Sequence, residues 1–434
     1  MRKRIPRLNH NILTGQIMDF RTSFRSLRAR LAIFVVGCLV FLWCDPALAQ
    51  TAATGPQSYS SRNFQLMTDL PSQEARELLA RLETMLKLVT GYFGRPLRKP
   101  IRMYVVKDLA TWPTSELQNM APQGIESIRE RGGLTVTQVR QTTTGRKLDA
   151  DSVVYAVADH GTPQHEAVHA YCGITFGETG PTWYSEGMAE VGQYWRENDL
   201  GVNAHDVVIA YLKSQPPKPL MEILNNPLET TGDSWQNYAW RWAVCHLLGT
   251  NENYKSRFKP LGMSLLTDGN ATFESVYGTQ LQEIDFEYRL FLHDLEMGYR
   301  SDLCSWDWKT PFKVIKSRPG SVARINAKGG WQASRGLVEP GTNYRMTATG
   351  TWKLSKEGES LSVAGDAQGH GRIWGIVFTD YQLSEPFELE ENQLFTVPQA
   401  GKLYLRCGDK WGELGDNSGI ISVRITIADE RNSP

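Results

Sequence analysis

The chain has 434 residues, enough for two domains of ordinary size that each bury a core. Its hydrophobic content of 41% and charged content of 22% exclude a largely disordered or membrane-embedded chain. Lys and Arg together number 47, as do Asp and Glu, so there is no basic excess of the kind that favours nucleic-acid binding.

The first fifty residues have the pattern of an export signal. Arg21, Arg25, Arg28 and Arg30 lie just before the apolar run LAIFVVGCLVFLWC (31–44), and the small-x-small sequence ALA (47–49) follows it. The run is shorter than the roughly 18 residues of a membrane-spanning helix. We therefore expect cleavage after Ala49, export to the periplasm or the exterior, and no stable membrane span afterwards. A lipid-modified Cys38, an uncleaved anchor and a true start at Met18 stay open.

The chain without this signal is mildly acidic. Residues 1–49 hold eight of the 47 basic and two of the 47 acidic side chains, which leaves a net charge of −6. We therefore expect no nucleic-acid partner. Four cysteines remain, and their wide spacing predicts neither a disulfide framework nor a thiolate zinc site. They are Cys172, Cys245, Cys304 and Cys407.

Short strands and helices alternate in the first part of the remaining chain. Short apolar segments predict strands at FQLMTDL (64–70) and IRMYVVKD (101–108), and helical spacing predicts a helix over 72–94 that begins at Ser72. Two further strands are predicted at LTVTQV (134–139) and SVVYAVA (152–158).

From Asn237 to about Leu295 the periodicity is helical, so residues 50–310 are predicted to form an α+β domain with a small sheet and a helical subdomain. After Pro311, short alternating segments are separated by Gly, Pro, Asp and Asn clusters. This pattern predicts an all-β sandwich over 311–434, with the boundary near WDWKTPFK.

The segment HEAVH is the first candidate for chemistry. His165 and His169 lie four apart, so one face of a helix presents both imidazoles to a single metal ion. Glu166 can reach a metal-bound water and act as a general base without being a ligand. Because this pattern occurs by chance in roughly one protein in a hundred, HEAVH alone leaves an ordinary helix open.

A second acidic segment strengthens the case for a metal. GPTWYSEGMAEVGQY (180–194) places Glu186 seventeen residues beyond His169, where it can complete a set of two imidazoles and one carboxylate. Glu190, one helical turn further on, can accept the free ring N–H of a ligand histidine. The alternative is a solvated acidic face, which like-charge repulsion disfavours. Zinc fits such a site, and other divalent ions stay open.

HEAVH followed by WYSEGMAE resembles the zinc metallopeptidases called gluzincins, in particular the peptidase-MA-like families, over about 64–308. The resemblance implies a hydrolase that acts on proteins or peptides. The zinc ligands that it implies are His165, His169 and Glu186, with Glu166 as general base and Glu190 as outer partner.

The resemblance leaves one role unassigned. Gluzincins generally add a Tyr or His that stabilises the oxyanion. Tyr238 is the first choice here and His246 the second, with ordinary packing as the alternative for each. Their substrates often lie along a sheet edge before the active helix, which suggests SVVYAVA (152–158) as that edge.

Two C-terminal segments, 330–354 and 400–425, resemble the calcium-dependent galactophilic bacterial lectins. Asp409, Asp416 and Asn417 match positions that ligate Ca²⁺ in that family, and oxygen ligands suit a hard cation. Gly408 departs from the Asn common in relatives. A plain polar turn between strands is the alternative.

The sequence therefore predicts an exported zinc peptidase whose C-terminal sandwich attaches to carbohydrate or to a surface. One alternative is a catalytically inactive protein in which the sandwich binds carbohydrate or a surface. Another is a lectin-type adhesin with a closed, structural zinc site, which would leave no position for water.

Overall fold

The computed structural model describes residues 55–143, 147–225, 235–267 and 269–428. The predicted signal peptide at 1–49 lies outside these residues. Among the described helices, none combines the length and apolar character needed to cross a membrane. Mixed α/β structure is followed by β-structure, which confirms the coarse prediction of an α+β region and then a β region.

In the described residues of the N-terminal part, five strands form one sheet. They are β1 (Gln57–Ser60), β2 (Phe64–Thr68), β3 (Ile101–Val106), β4 (Gly133–Gln141) and β5 (Lys147–Val157). Their order is β1-β2-β3-β5-β4, with β2, β3 and β5 parallel and with β1 and β4 antiparallel at the two edges. Each of the four strands predicted from the sequence in this part of the chain lies in this sheet.

The prediction that SVVYAVA (152–158) forms an exposed edge is wrong. That segment lies almost wholly in β5, which is paired with β3 on one side and with β4 on the other. β4 comes before β5 in the chain but adds antiparallel on its outer side. On this side of the sheet, the edge strand is therefore β4 and not β5.

Helices continue the N-terminal part of the described chain as far as Asp294. They are α1 (Ser72–Phe93), α2 (Thr114–Leu117), α3 (Pro122–Arg129), α4 (Thr162–Phe176), α5 (Thr182–Tyr194), α6 (Asp206–Ser214), α7 (Leu220–Asn225), α8 (Trp235–Thr250), α9 (Lys255–Leu265), α10 (Phe273–Tyr277) and α11 (Leu281–Asp294). Leu78, Leu82 and Leu86 of α1 repeat every four residues and are almost fully buried. α4 contacts β4 and β5 and crosses α5, which packs against α8.

The C-terminal part of the described chain consists of strands and one short 3₁₀ helix (Trp411–Asp416). The strands are β6 (Lys313–Val314), β7 (Ser321–Asn326), β8 (Gln332–Val338), β9 (Tyr344–Lys353), β10 (Ile373–Thr379), β11 (Gln382–Leu383), β12 (Phe387–Leu389), β13 (Leu394–Phe395), β14 (Gly401–Cys407) and β15 (Ser418–Ile427). One sheet has the order β11-β10-β14-β8-β6, with β12 also paired to β10, and the other has the order β13-β9-β15-β7. Residues from both sheets, including Ile325, Trp352, Val377 and Leu405, share one buried core.

Aromatic side chains join α11 to the C-terminal sheets. The ring of Phe286 lies 4.9 Å from that of Trp306 and 5.2 Å from that of Phe378, measured between centroids. The neighbouring carboxylate of Glu287 is buried and is compensated by five donors. These donors belong to Asn251, Asn253, Tyr254, Trp306 and Trp308. A partly buried, hydrogen-bonded segment therefore leads from the helices to the strands.

The change from helices to strands falls where the domain boundary is predicted. The last helix ends at Asp294 and the first C-terminal strand begins at Lys313. The described residues between 55 and 428 belong to one compact unit by their contacts. A division at residue 310 into two domains stays a prediction.

The four cysteines of the described chain are free thiols, and all four are buried. Burial raises the pKa of each thiol above its usual value. Since a thiolate is the reactive form, these side chains are inert packing groups.

Candidate metal centre

The first half of the centre lies on α4, directly after the sheet. Pro163 stands in the first turn, where a missing N–H costs nothing, and Gly177 ends the helix with a left-handed φ of 78°. His165 and Glu166 are each only 7% exposed, although both are polar. Buried polar side chains require partners, and the carboxylate partners of His165 come from α5.

Three side-chain atoms from α4 and α5 converge on one point. Nε2 of His165 lies 3.1 Å from Nε2 of His169 and 3.2 Å from Oε2 of Glu186. The third side of the triangle, from His169 Nε2 to Glu186 Oε2, is 3.3 Å. Ligands about 2.0–2.1 Å from a tetrahedral zinc ion are about 3.3 Å apart. Among the described residues, this is the cluster of His, Cys, Asp and Glu that can hold a metal ion.

The other ring nitrogen of each histidine has a partner outside the triangle. Nδ1 of His165 lies 2.9 Å from Oε1 of Glu190, and Nδ1 of His169 lies 3.2 Å from Oγ of Ser185. When Nδ1 of His165 donates to Glu190, its Nε2 carries a lone pair that faces the carboxylate of Glu186. Two electron-rich atoms at that distance are stabilised by a positive charge between them.

The pKa values of the side chains also indicate that the centre needs a positive charge. Burial lowers the pKa of His165, but hydrogen bonds to Glu186 and Glu190 outweigh it and hold the pKa well above its usual value. Burial raises the pKa of Glu186, but the charge of His169 and hydrogen bonds from both histidines outweigh it and hold the pKa well below its usual range. The site therefore keeps its carboxylate ionised and takes up a positive charge, either a proton or a metal ion.

The position after the candidate ligand Glu186 is Gly187, and it has no room for a larger residue. A Cβ atom at this position would lie 2.4 Å from Sγ of Cys245 and 2.7 Å from the backbone oxygen of Arg241. Both atoms belong to α8, so α5 and α8 approach each other closely beside the metal centre. Glycine is the residue that permits this approach.

The two candidates for the oxyanion role lie in different surroundings. The Tyr238 ring is half-buried and its centroid is 5.6 Å from that of His165. His246 is two turns further along α8, about 12 Å along the helix axis. Its ring packs between Trp242 and Phe291, and its Nε2 lacks a hydrogen-bond partner in the described chain. The structure brings Tyr238 to the centre and packs His246 in the core.

Two contacts at the centre were not predicted from the sequence. Ser185 reaches His169 from the position before Glu186, and Thr135 of β4 has its hydroxyl 2.7 Å from Oε2 of Glu166. Ser185 lies within the motif WYSEGMAE, directly before Glu186, so the sequence contained a signal that could have pointed to it. The Thr135 contact depends on how β4 packs against α4, which has no local signature.

The candidate calcium residues lie at the two ends of the 3₁₀ helix of the C-terminal part: Asp409 comes two residues before it, Asp416 is its last residue and Asn417 follows it. Asn417 is fully buried and donates from Nδ2 to the backbone oxygen of Ala327, at 3.2 Å. Oδ1 of Asp409 accepts from the backbone N–H of Lys410, at 2.8 Å. Oδ1 of Asn417 and Oδ2 of Asp409 are buried with no hydrogen-bond partner in the described residues. Asp416 is exposed to solvent.

Comparison with known proteins gives little beyond this geometry. No protein-family profile matches the chain, and no curated protein matches it. One similar solved structure is described as "EclA N-terminal domain; PllA-like lectin", at 14% identity and a TM-score of 0.19, covering 25% of this chain and 96% of that chain. A TM-score this low carries no argument, and the gluzincin resemblance stays a prediction.

Proposed function

We propose that this chain is an exported zinc-dependent peptidase of the gluzincin type, with a C-terminal sandwich that attaches it to carbohydrate or to a surface. The observation that carries the proposal is the triangle of His165 Nε2, His169 Nε2 and Glu186 Oε2, with sides of 3.1–3.3 Å. Export is inferred from the sequence alone.

The donor set fits zinc. Two imidazoles and one carboxylate leave a fourth position for water, which distinguishes a catalytic zinc site from a closed structural one. Glu190 and Ser185 orient the two imidazoles through their outer nitrogens, as the partners of metal-ligating histidines do. Zinc, when bound, acts as a Lewis acid and lowers the pKa of its water toward neutrality.

The chain's own residues supply the remaining chemistry. Glu166 accepts the proton of the attacking water and returns it to the leaving amine, which is general base and then general acid catalysis. The Tyr238 hydroxyl, on the ring beside His165, donates a hydrogen bond to the carbonyl oxygen as negative charge develops on it.

The edge strand β4 is the element that would hold the substrate backbone. It pairs with β5 on one side, and within the described chain its other side carries no strand. An extended peptide can add to such an edge through main-chain hydrogen bonds. Because Thr135 of β4 contacts Glu166, a peptide on this edge would pass beside the general base.

A Glu166→Gln variant tests the proposal on casein-derived fluorogenic peptides. Removal of the base is expected to lower kcat by about 10²- to 10⁴-fold. The zinc content should stay at the wild-type level, because Glu166 is not a ligand. Unchanged turnover in this variant would remove Glu166 from the mechanism and favour the alternative of an inactive binding protein.

We also propose that Asp409, Asp416 and Asn417 bind Ca²⁺. The observation that favours this second site is the pair of buried oxygens, Asp409 Oδ2 and Asn417 Oδ1, that lack hydrogen-bond partners in the described residues. Calcium at about 100 times its Kd should then stabilise the fold by about 2.7 kcal/mol, measured as a rise in Tm. An Asp409→Asn variant should lose most of that rise. Equal rises in both proteins would contradict the site.

A further inference from the structure

Two residues of the edge strand β4 meet the carboxylate of Glu166. The Thr135 hydroxyl oxygen lies 2.7 Å from Glu166 Oε2 and 2.9 Å from the Glu166 backbone oxygen. A hydroxyl has a single hydrogen, and the hydrogen bond to the ionised carboxylate is the stronger of the two. Thr135 therefore holds Oε2 in one place.

Gly133 lies two residues earlier on β4, so it faces the same side of the sheet. A Cβ atom at this position would lie 2.6 Å from Cγ and 2.8 Å from Oε1 of Glu166. Real Cβ atoms do not approach other atoms so closely. The glycine therefore leaves the space that the second carboxylate oxygen occupies.

A general base needs this kind of support. The glutamate side chain rotates about three bonds, and proton transfer requires its oxygen within hydrogen-bond reach of the proton. Glu186 and Glu190 place two further carboxylates around His165, the residue next to Glu166.

We propose that Thr135 is a positioning residue for Glu166. It fixes Oε2, and Gly133 leaves the room that Oε1 needs, so that the carboxylate keeps one orientation. This inference rests on the proposed peptidase function. The contacts of the Thr135 hydroxyl in the described residues are with Glu166 and not with the three candidate ligands.

A Thr135→Val variant tests the proposal, because Val has the shape of Thr without the hydroxyl. We expect kcat to fall about 10- to 100-fold, with KM and zinc content unchanged. Thr135→Ser keeps the hydroxyl and should restore most of kcat. Thr137→Val is the matched control: Thr137 is on the same face of β4, but its hydroxyl bonds to Ser152, at 2.8 Å. That variant should lose much less kcat than Thr135→Val, because its hydroxyl does not touch Glu166.

Three results would overturn the inference. An unchanged kcat in Thr135→Val is the first, and an equal loss in Thr137→Val is the second, since it would indicate general damage to β4. A loss of zinc in Thr135→Val is the third, since the effect would then act through the ligands.

A double-mutant cycle on urea unfolding measures the contact without relying on activity. Thr135→Val and Glu166→Ala, alone and combined, should show a coupling factor of about ten in the unfolding equilibrium constant. No coupling would contradict the contact.

If Glu166→Gln inactivates the enzyme while Thr135→Val does not, only the positioning role fails. If the wild type hydrolyses no peptide, the proposed function fails and the positioning role with it, while the cycle still reports the contact.

Discussion

Glu190 is predicted to set the affinity of the centre for zinc without touching the ion. Its Oε1 lies 2.9 Å from Nδ1 of His165, and both side chains are at least 90% buried. A Glu190→Gln variant keeps an oxygen acceptor but removes the charge that strengthens this hydrogen bond. Buried hydrogen bonds to a charged group contribute about 1.5–3 kcal/mol, so zinc affinity should fall about 10- to 100-fold.

Ser185 offers an internal comparison for the same experiment. Its hydroxyl meets Nδ1 of His169 at 3.2 Å and carries no charge, so Ser185→Ala should cost about 0.5–1.5 kcal/mol, which is about 2- to 10-fold in affinity. The assay is competition for zinc against a chromogenic chelator at pH 7.5. The reasoning predicts a larger loss for Glu190→Gln than for Ser185→Ala. Unchanged affinity in Glu190→Gln, or the reverse order, would refute it.

The remaining predictions concern catalysis, packing and pH. Tyr238→Phe should lower kcat about 10²- to 10³-fold at unchanged KM and zinc content, as measured by steady-state kinetics. A wild-type kcat in this variant would mean that Tyr238 only packs beside His165. Gly187→Ala should lower the free energy of unfolding by about 1–3 kcal/mol, because the added methyl group overlaps α8; urea denaturation measures this. Burial lowers the pKa of His246 to about 4, and the charge of Asp302 opposes this in part. The folded protein therefore loses stability as the pH falls from about 6.5 to about 4, by about 3 kcal/mol in total. His246→Met should remove that loss, and an equally steep decline in the variant would contradict the assignment.

The local features of the site could be predicted from the sequence because they depend on spacing. Two histidines four apart on one helix share a face wherever the helix packs, so the pairing of His165 with His169 follows from periodicity. The C-terminal strands were predictable for the same reason, since alternation and turn residues are local. Glu186 required a second motif and a resemblance, because it meets His165 only through the crossing of α4 and α5.

The features that escaped prediction depend on strand order and on packing over long sequence distances. β5 was predicted as the exposed edge because it directly precedes α4, but β4 adds on its outer side and becomes the edge. The contact of Thr135 with Glu166 spans 31 residues and exists only because β4 takes that position. No local pattern marks such a residue, and a threonine in an alternating strand resembles any other.

Elemental analysis of the purified chain tests the central claim most directly. Zinc per chain would be measured for the wild type and for His169→Ala, both prepared in metal-replete buffer and then freed of loosely bound ions. The account predicts about one zinc in the wild type and little in the variant, because His169 supplies one corner of the triangle. A wild type that retains no zinc would contradict the account, and HEAVH would then be a helix that carries two histidines.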